Sequence, residues 1–376
     1  MSLLNLPLPP AAAAQVVLWG GLGLGLVLGA VAQASRFCTM GALSDRFTFG
    51  GSTRLMMWVL AVLAAAAGSL VLIQAGLLDA TRTLPWTERF VWLSYIVGGT
   101  LFGIGMVLSS GCPQRNLVKA GAGSLKSLVT LGVAAVAAQM TLRGLFAEAR
   151  TRALDVFNVQ LGGPQDVGTL IAGATGAPAA GTRWLVLVLA MLGCAVWLWR
   201  HRAEMEPLHW ASGIIVGLLV VGAWALTGHI GFLPEHPDTL EPAWMGTYSH
   251  RPEGLSFAAP LGHGMDLLTL WSDKNTVLTF GVIVSLGVVL GSTASALWRH
   301  EFHIESFRTP QDLATHVAGG TLMGFGGVTA LGCSIGQGIS GLSLLSSGSC
   351  IAVVSMVFGT WAALRWQNWR IERGAA

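Results

Sequence analysis

This chain has little charge. Lys and Arg number 21, and Asp and Glu 18, in 376 residues, or 10% of the chain. Soluble domains carry about 25%, so a water-soluble globular fold is excluded. The net charge of +3 is too small to suggest nucleic acid as a partner. The five cysteines show neither CxxC nor the Cys/His spacing of a zinc site, so no structural metal is expected. The nine histidines are scattered, and the closest pair, His300 and His303, reads as a helix boundary. Residues 1–14 carry no charge. A secretory signal needs a basic stretch before its apolar run, so a cleaved signal is not expected. Asp and Glu are missing from the long apolar runs, which removes the usual signature of a proton relay. No cofactor is expected.

What the chain has instead is apolar length. It is 53% hydrophobic, with 50 glycines, many of them inside apolar segments, where they allow close helix packing or break a helix. A helix needs about 20 residues to cross the hydrocarbon core. Runs at 15–34, 55–78, 90–111, 127–142, 183–197, 210–227, 276–298, 313–332 and 350–366 read as spans. The expected fold is therefore an all-α polytopic membrane protein with about eight to nine spanning helices plus short re-entrant or broken ones. Residues 113–126 are too polar to cross and too short to form a domain, so they read as one such broken segment, lining a cavity or buried in protein. The division expected is a first transmembrane repeat at 1–142, a Gly/Ala-rich connector at 143–182, and a second repeat at 183–376 with a long polar outside loop at 229–275.

Two stretches carry the argument for repeats. GGTLFGIGMVLSSGCPQRNLVKAGAG at 98–123 and GGTLMGFGGVTALGCSIGQGISG at 319–341 match without a gap. Gly98, Gly99, Thr100, Leu101, Gly103, Gly105, Val107, Gly111 and Cys112 align with Gly319, Gly320, Thr321, Leu322, Gly324, Gly326, Val328, Gly332 and Cys333. Each ends an apolar helix at a Cys beside a polar, glycine-rich turn. Loops rich in Lys and Arg face the cytoplasm. Placing Arg200–Arg202 and the tail with Arg365, Arg370 and Arg373 inside puts Arg36, Arg46 and Arg54 inside as well. Cys112 then falls toward the inner side and Cys333 toward the outer side. The two motifs enter from opposite faces, as in inverted repeats whose site lies near the midplane where broken helices meet.

Cys38, Cys112 and Cys333 each end an apolar run beside Gly and small polar residues, whereas Cys194 and Cys350 sit in or at apolar runs without a motif and read as small buried residues. No base lies near the three thiols in sequence, as a catalytic nucleophile would require, so no catalytic residue is assigned and the chain reads as no enzyme. A thiol is soft and polarizable and suits a sulfur atom better than an oxygen. Arg36, Arg115, Lys119 and Lys126 supply positive charge beside the breaks. Helix N-termini add more. Gln114, Asn116, Ser334 and Gln337 offer uncharged hydrogen bonds, and Gly41, Gly111, Gly332 and Gly336 support the turns. Together these residues describe a pathway for a small anion with a sulfur face.

The motifs RFCTMGALSD (36–45), SSGCPQRNLVKAGAGSLKSL (109–128) and ALGCSIGQGISGLSLLSSGS (330–349) resemble the YeeE/YedE family of inner-membrane sulfur-compound transporters, whose characterised members take up thiosulfate. The resemblance touches both halves. It implies an hourglass-like protein of inverted repeats in the bacterial inner membrane. It also implies three functional cysteines, at the positions of Cys38, Cys112 and Cys333, which relay thiosulfate by S–H···S contacts. A cytoplasmic TusA-like sulfur carrier is an implied partner. Two alternatives stay open: the same fold carrying another sulfur or selenium compound, and a membrane sulfur relay that holds sulfur as a Cys persulfide.

Overall fold

A computed structural model describes residues 9–237, 239–273 and 276–374; the uncharged N-terminal stretch falls in part on residues 1–8, outside the described residues. In chain order the helices are α1 (Pro10–Ser35), α2 (Thr39–Ser44), α3 (Thr53–Gln74), α4 (Trp92–Leu108), α5 (Pro113–Gly121), α6 (Leu125–Arg143), α7 (Leu145–Ala153), α8 (Val167–Thr175), α9 (Ala179–His201), α10 (Pro207–Ala225), α11 (Ala259–Thr269), α12 (Phe280–Trp298), α13 (Pro310–Thr329) and α14 (Ser347–Glu372). Strand structure among the described residues is confined to two short antiparallel pairs. Eight helical segments, built on α1, α3, α4, α6, α9, α10, α12 and α14, are long and apolar enough to cross a bilayer. The chain is an all-α polytopic membrane protein. The ninth expected span, at 313–332, corresponds to α13. This helix is more polar in its first turns and packs between α4 and α6 inside the bundle.

Three of the core helices begin where the sequence supplies a cap. Ser124, Thr309 and Ser346 each accept the backbone N–H three residues on, at the starts of α6, α13 and α14, which satisfies a donor that would otherwise be stranded. The most extensive contacts pair α1 with α12, α3 with α10, α4 with α13 and α14, and α6 with α13. Every one of these pairs joins a helix before the connector to a helix after it, so neither half packs on its own.

Glycine sets these approaches. A Cβ on Gly99 would meet Ala352 O at 2.7 Å, and one on Gly320 would meet Thr130 O at 2.9 Å. Gly103 and Gly324, one turn on, face the Met356 and Ala134 carbonyls still more closely. The aligned glycines of the two motifs thus face α14 in one case and α6 in the other. Gly98 lies against Ala330, and Gly105 against Gly319 and Met323. The contact order is reversed, so α4 and α13 run antiparallel. By the same reading α1 with α12, α3 with α10, α4 with α14 and α6 with α13 run parallel.

Two regions hold more structure than their composition suggests. The connector contains α7, α8 and a strand, Val159–Gln160, paired with Arg89–Phe90. It is pinned by a 2.9 Å ion pair between Arg183 and the fully buried Asp166. The 229–275 loop contains α11 and does not stay outside: Leu255 and Phe257 are 1% and 0% exposed. Ser340 donates to Leu255 O at 2.8 Å, and a Cβ on Gly254 would meet the Trp224 ring at 2.7 Å. This short apolar piece of a polar loop is drawn into the bundle by its own buried side chains.

Candidate functional site

The three motif cysteines begin helical turns at points where a longer helix has stopped. After α4 the chain takes a left-handed step at Ser110 (φ 54°), and after α13 it takes the same step at the aligned Leu331 (φ 58°). Each step is held by an amide side chain at the same aligned position. Asn116 donates to Gly111 O at 2.9 Å and Cys112 O at 3.2 Å. Gln337 donates to Ala330 O at 2.7 Å and receives the Ser349 hydroxyl at its oxygen. Gly111 O and Ala330 O are carbonyls that a broken helix leaves without a backbone partner, whereas Cys112 O also accepts the Asn116 backbone N–H at 2.9 Å. Both groups of the Gln337 amide are engaged, so this residue shapes the turn rather than presenting a free donor.

All five cysteines are free thiols. Cys112 and Cys333 are both 0% exposed, and Cys38 is 8% exposed. Cys38 and Cys333 lie within electrostatic reach of the Cys112 thiol, and Ser334 approaches it. The fold therefore brings together three residues that are far apart in sequence. Their surroundings differ. Cys38 Sγ caps α2 and accepts Gly41 N–H at 3.3 Å. Cys333 Sγ accepts Phe257 N–H at 3.3 Å and Gly336 N–H at 3.4 Å, with Ser256 Oγ at 4.0 Å. Cys112 Sγ lies 4.0 Å from Gln114 Oε1. Cys194 is half-buried in α9 and Cys350 is exposed at the start of α14.

Beside these thiols the buried atoms Gln114 Nε2, Thr39 Oγ1 and Trp58 Nε1 have no protein partner, and Ser334 Oγ has none beyond the Cys112 thiol it approaches. Gln114 and Ser334 are almost completely buried. An unpaired buried donor costs about 1–3 kcal/mol, and each such atom is a hydrogen-bonding point for a guest.

Cavities open on either side. One, of about 350 Å³, is lined by Arg150, Tyr248, Glu253, Ser256 and His263, and reaches Gly332 and Gly336 of the Cys333 turn. The other, of about 440 Å³, is lined by Arg36, Arg54, Arg115 and Lys119 with Glu301 and Glu305, beside the Cys112 turn. Leu142 at the end of α6 and Gly281 at the start of α12 line the first, whereas Ser124 before α6 and Glu301 after α12 line the second. The cavities therefore sit at opposite ends of these helices, roughly 28 Å apart by the rise of a 19-residue helix. The cysteine turns lie between them.

Arg115 is half-buried and reaches Ala32 O at 3.5 Å; Arg36 is exposed and ends α1 with φ 56°. A Cβ on Gly41 would meet the Arg54 guanidinium at 2.7 Å, the movable end of a long side chain, and at Gly336 it would meet Ser256 Oγ at 2.6 Å. Gly111 and Gly332 lie against the side chains of Arg115 and Gln337, where a Cβ would approach to 3.2 Å and 3.1 Å. In the first cavity, burial holds the Glu253 carboxyl above the usual carboxylate range. Burial also pushes His263 down to about 4; its ring stacks on Tyr248 with centroids 3.4 Å apart.

Ser256 and Phe257, from the long loop, complete the Cys333 turn, and no motif in the sequence marks them. The available signal was LSFAAP at 255–260, an apolar patch in a polar loop.

Paired broken helices meeting at buried thiols between two cavities define a membrane transporter. A family model described as Sulphur transport matches residues 34–362, and the chain belongs to that family, whose proteins move sulfur compounds. Among its relatives is the thiosulfate transporter TsuA of Escherichia coli (strain K12), 27% identical over 357 residues, covering 91% of this chain and 92% of that one. The thiosulfate transporter TsuA of Spirochaeta thermophila is 25% identical over 350 residues, covering 92% of this chain and 97% of that one.

Proposed function

We propose that this protein imports thiosulfate across the bacterial inner membrane, passing it between Cys333, Cys38 and Cys112 by S–H···S hydrogen bonds. The observation that carries the reading is the meeting of three buried free thiols between two opposed cavities. Residues 1–142 and 183–376 act as the two inverted repeats, joined by 143–182, which accounts for the antiparallel α4 and α13. Cationic residues gather at one end: Arg36 and Arg54 line the basic cavity, and Ser52 and Thr53 bond Glu204, which ties the Arg202 turn to the start of α3. That end is cytoplasmic by the positive-inside rule, so the cavity at Cys333 is the entry and the basic cavity the exit. A TusA-like sulfur carrier would receive the product there.

Thiosulfate is a dianion with one soft sulfur and three oxygens. A neutral thiol donates weakly to that sulfur, and weak successive sites let an ion leave as readily as it enters. Gln114 Nε2, unpaired, and Ser334 Oγ lie beside the Cys112 thiol and offer hydrogen bonds to the oxygens. Arg36 and Arg115 hold the charge, and Gln337 keeps the Cys333 turn in shape. A thiolate would instead repel the dianion by several kcal/mol, even at an effective dielectric of about 20.

The test is uptake of radiolabelled thiosulfate into cells lacking other sulfur importers, with and without this protein. Expected is saturable uptake that unlabelled thiosulfate abolishes and sulfate does not. Uptake no greater than in empty cells would refute the reading. A persulfide or thiosulfonate adduct on Cys112 or Cys333, formed at the rate of transport, would replace hydrogen-bonded relay with covalent relay.

A further inference from the structure

The basic cavity holds more positive charge than the protein itself neutralises. Four cations line it: Arg36, Arg54, Arg115 and Lys119. Arg54 pairs with Asp45 at 3.5 Å. The two carboxylates of the lining are engaged elsewhere. Glu301 accepts Gln33 Nε2 at 3.1 Å and pairs with Arg299 at 3.6 Å. Glu305 pairs with Lys126 at 3.2 Å, and Lys126 also pairs with Asp312 at 2.9 Å. Among the described residues no carboxylate within ion-pair distance meets Arg36, Arg115 or Lys119. Lys119 donates only to Ser110 O, at 2.6 Å, and Arg115 only to Ala32 O. Both are partly buried and one turn apart on α5, so they present to the same side of that helix.

Three cations without an ion-pair partner share a lining in which four cations face only two carboxylates. The charge of Glu305 reaches Lys119 and offsets part of their mutual repulsion, and an anion of more than one charge relieves the rest. The donors are guanidinium and ammonium groups, which bind oxygen. No cysteine lines this cavity. It therefore reads charge and oxygen geometry, and cannot distinguish an anion with a sulfur face from one without.

We propose that this cavity is a second anion site, separate from the thiols, which takes tetrahedral oxodianions such as sulfate or phosphate by their oxygens. Arg36, Arg115 and Lys119 form it. The ligand's charge stands in for the carboxylate that the protein does not supply. Its consequence for transport rests on the reading of this end as the exit. An oxodianion abundant on the exit side occupies the site from which thiosulfate leaves and slows its release. The protein would then be restrained by the fully oxidised form of the element it carries, although that form never passes the thiols.

The test is equilibrium binding of radiolabelled sulfate to the full chain in nanodiscs of zwitterionic lipid. Expected is saturable binding that persists in Cys112→Ser and Cys333→Ser and weakens about tenfold in Arg115→Gln or Lys119→Gln, the loss typical of one charged hydrogen bond. Arg36→Gln breaks no ion pair among the described residues, so weakening there, with an unchanged thermal melt, separates lost binding from lost folding. In a second arm, discs containing an anionic phospholipid identify the source. Sulfate binding that survives them assigns the site to a free ion. Binding lost there, with phospholipid co-purifying, assigns it to a headgroup phosphate, which is the same chemistry. No saturable sulfate binding in zwitterionic discs, or binding indifferent to all three substitutions, overturns the proposal. Wild-type protein that takes up thiosulfate but binds no sulfate sinks this inference alone. Protein that binds sulfate but imports no thiosulfate sinks the transport reading alone.

Discussion

The Cys112 turn and the Cys333 turn grow from the same motif and are finished differently. The Cys112 turn is completed within its own segment: α5 follows at once, Asn116 braces the carbonyls, and the thiol lies near Gln114. The Cys333 turn continues as a wider helical turn at Gly336–Gly341 and is completed from outside, by the Phe257 N–H of a distant loop. One lies beside a basic cavity, which Arg115 and Lys119 of α5 line; the other opens on a cavity holding Glu253, Arg150 and His263. A duplicated backbone device thus supplies two thiols, and the residues around each decide whether sulfur meets charge or a row of N–H donors. N–H groups that point at sulfur leave its own proton free to turn toward a guest.

The comparison can be broken most severely at the shared scaffold. Gly103→Leu and Gly324→Leu place a side chain against a facing backbone carbonyl, and the yield of folded protein, read by size-exclusion chromatography, should fall by most of its value in either. Equal effects mean the two glycines serve equal roles, and normal yield in both removes close packing as the reason for the motif.

The next test targets the thiols. Cys112→Ser and Cys333→Ser keep a donor but replace a soft atom with a hard one. Each should lose most thiosulfate uptake while folding normally, and Ala should be no better. Full uptake in one variant would assign the pathway to the other turn.

A smaller effect separates the cavities. Arg115→Gln should raise the apparent KM for thiosulfate about tenfold, the value of one charged hydrogen bond. Ser256→Ala, at the other turn, should raise it only a few-fold, because a neutral hydrogen bond is worth about 0.5–1.5 kcal/mol. Reversal of that order would move the main anion contact to the Cys333 side.

The smallest effect is on pH. His263 folds with a pKa pushed down to about 4 by burial, below the ordinary value near 6.5. The folded state favours the neutral ring, so its contribution is complete above 6.5 and is lost as pH falls toward 4. Thermal stability should decline across that window and decline less in His263→Gln; equal slopes would clear His263.

The spans and the breaks were legible in the sequence because both are local. Twenty apolar residues announce a crossing wherever they fold, and a Gly-Cys followed by Pro, Gln or Ser announces its interruption. The alignment of Cys112 with Cys333 also carried the antiparallel arrangement of α4 and α13. The braces were harder. Gln337 reads as a free amide, and only the structure shows Ala330 and Ser349 occupying it. Phe257 was not legible at all, since what it contributes is a backbone N–H, which every residue but proline has and no composition marks. The connector and the long loop were misleading for a related reason: α7, α8 and α11 are short and held by contacts with distant segments, such as the α6–α11 packing and the Asp166–Arg183 pair.

The pairing of the bundle has a consequence for how the chain is made. Gly99 waits for Ala352 and Gly29 for Ser292, so a nascent first half enters the bilayer with its glycine faces open. At about 5–20 residues per second of synthesis the wait is on the order of tens of seconds. During that time the groove that will receive α12, α13 and α14 is filled by lipid, which the later helices must displace. Assembly is thus held to the pace of the ribosome, and a chain stalled midway leaves a half whose partner faces can be filled only by lipid or by the wrong helix.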